Sequence, residues 1–223
     1  MKIITVKCKT FEPMLGLCPD DKQIYSSYIA SKAPAEKVVD DEINAIPDDN
    51  SEMKSTIFPR NDEGEPCFFD YQIKGFFKDT CAALSRLGGT DEDGKKTAIT
   101  KSGKLKAFKK TIDGNIFVSP RMIPIKFDGE MGYCERPLRA DTPMGPRIAL
   151  ARSEQVPAGA EINFSVLLLD DSHEEVLREW LNYGHLRGFG QWRNSGMGRF
   201  SHEIVSVKDM KYDLTKIIDF CGG

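Results

Sequence analysis

Histidine is scarce in this sequence: His173, His185 and His202 are its only three in 223 residues. A metal-independent ribonuclease leans on a positioned general base and acid, most often histidine, and none precedes His173. The six cysteines, Cys8, Cys18, Cys67, Cys81, Cys134 and Cys221, contain no Cys-x-x-Cys pair. That spacing argues against a structural zinc site, so no metal or other cofactor is expected, and each thiol reads as a small buried hydrophobe. Apolar runs of membrane-spanning length are absent, so no membrane partner is expected. Lys2–Lys9 interleaves lysines with apolar residues and does not read as a signal peptide. The expectation is a cytoplasmic protein with reduced thiols. A positive balance is missing too: 31 Lys and Arg stand against 34 Asp and Glu, a net charge of −3 with a sequence pI of about 5.7. A non-specific nucleic-acid binder is usually basic overall, so such a role here must rest on the local field along one groove.

What the sequence does hold is enough apolar material, 40% of residues, for one sizeable core or two small ones, and a pattern that argues against global disorder. Lys2–Lys9 alternates, with Ile4, Val6 and Cys8 on one face, and predicts a first core strand. Phe11–Arg60 reads as an insertion, with helical spacing at Tyr25, Tyr28 and Ile29 and a second short helix over Pro34–Ile43. Asp70–Leu87 predicts a helix capped by Asp70, its buried stripe formed by Ile73, Phe76, Phe77, Thr80, Leu84 and Leu87. Lys74 and Lys78 fall four apart near its start, where cations oppose the helix dipole, so another group should hold them.

Gly88–Gly114 reads as a flexible hairpin or loop, in which Lys95–Lys110 carries seven lysines and no acid: an arm for phosphates or a solvated face. Asn115–Phe127 predicts a second core strand that is at an edge, bulged or broken by Pro120 and Pro124. Gly129–Pro146 reads as a loop containing Arg136, Arg139 and Thr142. Glu161–Leu169 is the clearest strand, with Ile162, Phe164, Val166 and Leu168 facing one way. A last helix follows, with Ser172 and Glu175 as a capping box, His173 solvated at its start and Gly184 at its stop. Phe200–Val207 predicts a final strand, in which His202 reads as a packed core histidine, and Asp209–Gly223 a tail with one short helix at Leu214, Ile217 and Ile218. The order strand, insertion, helix, strand, strand, helix, strand is the β-α-β-β-α-β plan of an α+β ferredoxin-like (RRM-like) domain with large insertions.

The most informative stretch is Arg187–Phe200, RGFGQWRNSGMGRF. The pairs Gly188/Gly190 and Gly196/Gly198 flank Gln191, Trp192, Arg193, Asn194 and Ser195, with Arg187 and Arg199 outside. Glycine permits positive φ and close backbone approach, and the residues between suit a phosphodiester and an unstacked base. A dinucleotide fingerprint is excluded, because here a helix precedes the glycines and a strand follows them.

This Gly-apolar-Gly, five residues, Gly-apolar-Gly pattern resembles the C-terminal glycine-rich loop of the CRISPR-associated RAMP superfamily, RNA-binding proteins with an RRM-like fold. Asp62-Glu-Gly-Glu-Pro66 leading to Asp70-Tyr-Gln-Ile-Lys74-Gly75, and Glu154-Gln-Val-Pro157-Ala-Gly159 leading into Phe164, are similar to two further segments of that family. The resemblance is greatest to the backbone subunits of effector complexes, and it implies one decorated domain across residues 1–223. It also implies single-stranded RNA or DNA as partner, head-to-tail homo-oligomers or membership of a multi-protein complex, and a place in antiviral defence or in a phage or mobile element. On it, Arg187 to Arg199 with Lys74, Lys78, Arg136 and Arg139 form the nucleic-acid surface. The alternatives are an endoribonuclease using His185 or the pair Asp20 and Asp21, and a protein-interaction module that has kept the fold without the nucleic acid.

Overall fold

The computed structural model describes residues 1–22, 44, 46, 55–90, 93–94, 96–142 and 145–222. The two helices read at Tyr25–Ile29 and within 34–43 lie outside the described residues. In chain order the strands are β1 (Lys2–Thr10), β2 (Met14–Leu15), β3 (Cys18–Pro19), β4 (Ser55–Ile57), β5 (Cys67–Phe69), β6 (Gly88–Thr90), β7 (Lys96–Ala98), β8 (Ile116–Ser119), β9 (Met122–Lys126), β10 (Gly132–Thr142), β11 (Gly145–Val156), β12 (Glu161–Leu168) and β13 (Phe200–Asp209). The helices are α1 (Asp70–Leu84), α2 (Lys101–Lys104), α3 (Phe108–Asn115), α4 (Glu174–Tyr183) and α5 (Leu214–Gly222).

The alternation in β1 buries Ile4, Val6 and Cys8 completely, and both edges of that strand are paired, to β12 on one side and β13 on the other, antiparallel in each case. On β12, Ile162, Phe164, Val166 and Leu168 are all buried, as their period of two predicts. The far edge of β12 pairs first with β8 and then with β9. These are one line of chain interrupted at Pro120 and Arg121, since proline has no N–H to give the ladder. β5 pairs outside β9 and completes a six-stranded sheet.

α1 and α4 place their apolar stripes in one core with the even-numbered residues of β1 and β12. The α1 stripe is Ile73, Phe76, Phe77, Thr80, Cys81 and Leu84; Leu87 falls past the helix end and is exposed. Phe69 rather than Asp70 is the N-cap of α1: the Gln72 side chain accepts the Phe69 N–H at 2.9 Å, and Asp70 accepts the Tyr71 N–H and pairs with Arg121. α5 meets the opposite face of the sheet. There Ile3, Thr5, Asn163 and Ser165 line a cavity of about 450 Å³ with Asp219 and Phe220.

Three further readings from the sequence are corrected by the structure. Residues 129–146 are not a loop: most of them form β10 and the start of β11, a hairpin paired from Gly132↔Gln155 to Thr142↔Gly145. With β4 and β3, and with β2 against β11, it makes a second, five-stranded sheet that absorbs parts of the 11–60 insertion. Here the buried Glu154 carboxylate accepts the Phe58 N–H at 2.8 Å and pairs with Arg60. Secondly, the hairpin read within 88–114 is present as β6–β7, but the lysine-rich segment after it is helical and held to the body. After the β6–β7 hairpin, α2 is capped by the Glu179 carboxylate of α4, which accepts the N–H groups of Lys101 (2.9 Å) and Ser102 (2.8 Å). The buried Trp180 indole donates to Ser102 Oγ at 2.9 Å. Lysine count conceals this anchor, because one buried serine supplies it.

The third correction concerns two histidines. His173 is buried, and Asp170, not Ser172, accepts an N–H at the turn before α4, that of Ser172 at 2.9 Å. His202 is only half-buried, on β13 opposite Cys8. Burial first, then the charges of His185 and Arg178, hold the His202 imidazole below its ordinary range. The unfolded chain therefore takes that proton first. The His202 contribution is whole above the unfolded value of about 6.5 and is lost as pH falls from there through the lower folded value. Melting temperature is expected to decline between about pH 7.5 and pH 5.5, and His202→Gln to flatten that decline. Thermal melts giving the same slope for both proteins would refute the assignment.

Candidate nucleic-acid interface

The chain leaves α4 through Gly184 and enters the glycine loop, which is fixed by backbone contacts before any side chain is considered. The Phe189 N–H donates to Gly198 O at 3.0 Å, so the two glycine pairs face each other. The Gly198 N–H donates to Pro13 O (2.7 Å), the Gln191 N–H to Leu15 O (3.2 Å), and the Phe11 N–H to Arg199 O (3.0 Å). A Cβ on Gly188 would sit 1.9 Å from the Gly198 carbonyl carbon. One on Gly198, at φ +69°, would sit 2.1 Å from Phe189 O. Phe189, inside the first pair, turns inward and stacks on Phe200, with centroids 4.2 Å apart and planes 4° apart. Burying such a ring contributes about 1.5–3 kcal/mol. Close packing is thus the reason for the glycines, and the tip between them is left to carry chemistry.

At the tip Trp192 is left-handed, φ 54° and ψ 34°, and 42% exposed. A non-glycine residue there costs roughly 1–2 kcal/mol, and the turn Arg193–Ser195 holds it in place: the Ser195 N–H and Oγ both bond Trp192 O, at 3.0 and 2.9 Å. Behind the indole lies Arg136 of β10, its guanidinium 5.3 Å from the ring centroid. Arg136 is 8% exposed and donates to Ser153 Oγ (3.1 Å) and Gln191 Oε1 (2.8 Å). No carboxylate among the described residues pairs with it.

The other expected residues form separate groups. Arg187 and Arg193 converge on Asp79 of α1, and Arg187 also donates to Asn194 Oδ1 at 3.1 Å. Burial pushes the Arg193 pKa down from its ordinary range, against the opposing pull of Asp79. Arg199 points elsewhere, to Glu12 at 2.7 Å, with its guanidinium 5.5 Å from the Phe11 centroid. His185, exposed, shares that Phe11 ring at 5.5 Å. Lys74 and Lys78 turn toward α3: Lys74 donates to Asp113 O at 3.2 Å and Lys78 pairs with the Asp113 carboxylate at 2.5 Å, which supplies the holding group that the helix dipole called for. Arg139 lies on β10 opposite Ile148, and its side chain is outside the described residues. Asp20 accepts the N–H of Ser55 and its Oγ–H, the latter at 3.0 Å, and so closes the start of β4. Asp21 follows it directly, and no contact among the described residues joins either carboxylate to His185.

Asp79, Ser153 and Phe11 belong to these groups and were not legible beforehand. Asp79 lies 108 positions from Arg187, and nothing local to α1 announces the pairing. Among the described residues no three His, Cys, Asp or Glu side chains gather as a metal ion would need, and no helix is long and apolar enough to cross a membrane.

No protein-family model matches the chain, and no curated protein matches it. Among solved structures it is similar to a chain in the cryo-EM structure of the type III-B Cmr-beta bound to cognate target RNA, at 10% identity and a TM-score of 0.46, covering 94% of this chain and 61% of that one. It is also similar to a chain of a type IV-B CRISPR complex, at 12% identity and a TM-score of 0.41, covering 96% and 93% respectively. The chain thus spans 61% of the length of the first of these.

The loop packing predicts a contrast between two glycines. Gly198→Ala should cost roughly 2–4 kcal/mol, because both the left-handed backbone and the Phe189 carbonyl oppose the methyl. Gly64→Ala, at φ +78° with nothing within 4 Å among the described residues, should cost only about 1 kcal/mol. Urea denaturation of both variants checks this, and equal losses would remove close packing as the reason for the loop glycines.

Proposed function

We propose that this chain binds single-stranded nucleic acid, RNA foremost, as a RAMP-type protein that works by binding and not by catalysis. The observation that carries the reading is the pairing of Trp192 with Arg136. An exposed indole is held in a strained backbone conformation, and a buried guanidinium without a described counter-charge stands behind it. A buried unpaired charge is costly, and strain persists where the surroundings over-determine it, commonly at ligand sites. A base stacked on Trp192 would bring its phosphate into the field of Arg136, and so would use both features. Stacking of this kind contributes about 1–3 kcal/mol per base and tolerates any sequence.

The strand order supports a ferredoxin-like core. In the sequence β1, α1, β8–β9, β12, α4, β13, the last strand lies beside the first and β12 lies between β1 and β8–β9, antiparallel throughout. The remaining strands are elaborations of it. Beyond Arg136↔Ala151 the β10–β11 hairpin pairs with no other described strand, which leaves it as an arm suited to contact along the strand or with a neighbouring subunit. Head-to-tail assembly or membership of a larger complex follows from that reading. Of the residues a nuclease would draw on, Asp20 accepts from Ser55 and His185 rests on Phe11.

Fluorescence anisotropy with labelled single-stranded RNA, single-stranded DNA and duplex, each at two salt concentrations, tests the proposal. The unaltered protein should favour single strands and lose affinity with salt. Trp192→Ala should bind about tenfold more weakly, and Trp192→Phe should retain most of the affinity. Undiminished binding by Trp192→Ala would rule the glycine loop out of the interface.

A further inference from the structure

Gln72, Gly75 and Asp79 lie on one face of α1, three and four residues apart. Over the first two a cavity of about 560 Å³ opens between α1, the segment Leu17–Pro19 and the glycine loop, within the ~300–1,000 Å³ that small-ligand pockets span. Its floor is apolar, with Phe68, Phe76 and Phe189, and Arg193 stands at its wall.

Two features of this face have no account in the fold itself. The first is Gly75. Glycine inside a helix is less stable than alanine, and here no steric demand calls for it: φ is not left-handed, and a Cβ would find nothing within 4 Å among the described residues. The second is the surplus of cations at Asp79. One carboxylate, 32% exposed, faces two guanidiniums. Arg193 spends only Nη1 on it, so Nε and Nη2 have no acceptor among the described residues. Two converging guanidiniums are the natural receptor of a phosphate, whose oxygens can accept from both forks.

We propose that this face of α1 is the seat of one nucleotide of the bound strand. Its base enters the cavity over Gly75, and its phosphate takes Arg187 and Arg193 from Asp79. In the empty protein Asp79 is the place-holder that keeps the two guanidiniums converged; in the complex it is the group displaced, and its charge opposes binding. Gly75 is glycine because any side chain would occupy the space of the base. The inference rests on the single-strand reading above but concerns different residues from Trp192 and Arg136.

The test uses the full chain and a labelled oligouridylate, with the melting temperature of each variant recorded alongside. Asp79→Asn should bind about threefold or more tightly than the unaltered protein at low salt, with the gain shrinking as salt is raised. Gly75→Leu should melt about 2–4 °C higher, because leucine is the better helix former, yet bind at least about fivefold more weakly. Equal or weaker binding by Asp79→Asn would overturn the exchange, since a purely structural Asp79 predicts one of those results. Undiminished affinity in Gly75→Leu, folded by its melt, would overturn the seat. If Trp192→Ala weakens binding while Asp79→Asn and Gly75→Leu leave it unchanged, the single-strand reading stands and the nucleotide seat alone is lost. Absence of binding by the unaltered protein would overturn both.

Discussion

Backbone meets backbone where the glycine loop lies against Phe11–Leu15, and the rest of the candidate interface depends on that contact. The loop cannot lift without breaking the bonds to Pro13, Leu15 and Phe11 and withdrawing Phe189 from its stack on Phe200. Because the base of the loop is rigid, the tip can hold Trp192 in a conformation it would not choose alone. Glycine has two separate uses in this chain. At Gly188 and Gly198 it permits close approach within the protein; at Gly75 nothing among the described residues asks for it.

The net negative charge is reconciled with an anionic ligand by local accounting of partners. Arg187 and Arg193 face Asp79, Arg199 faces Glu12, Lys78 faces Asp113 and Lys101 faces Glu175. These cations are thus neutralised where they stand, and the pairs at the surface are worth little to stability. Arg136 differs because it is buried and, among the described residues, bonded to neutral acceptors. In a medium of lower dielectric than water, one such charge reaches further than several solvated lysines. A whole-chain sum cannot register that difference.

The core was legible wherever burial imposes a period. β1, β12, α1 and α4 each show an unbroken apolar face, and the sequence places their buried residues almost position for position. The break at Pro120 was legible too, because the missing N–H is a local fact. The β10–β11 hairpin was not: Pro137, Arg136 and Arg139 interrupt any alternation, and beyond Arg136↔Ala151 it pairs with no other described strand. The lysine-rich segment misled for the opposite reason, since its one decisive residue, the buried Ser102, is outnumbered by cations. In the candidate site the loop residues stood out by composition, but their division among Asp79, Glu12 and Arg136 is set by contacts across the whole length of the chain.

β1 has a further consequence, for synthesis. Both of its neighbours in the sheet come from beyond residue 160: β12 pairs Lys2 with Leu168, and β13 pairs Lys2 with Asp209. This strand therefore leaves the ribosome well before either of its neighbours, and Ile4, Val6 and Cys8 stay open at least until β12 has emerged. Pairings of such separation form slowly and leave strand edges open to foreign partners in the interval. Lysines at positions 2, 7 and 9, interleaved with those apolar residues, give the waiting strand a charge that discourages association with its own kind.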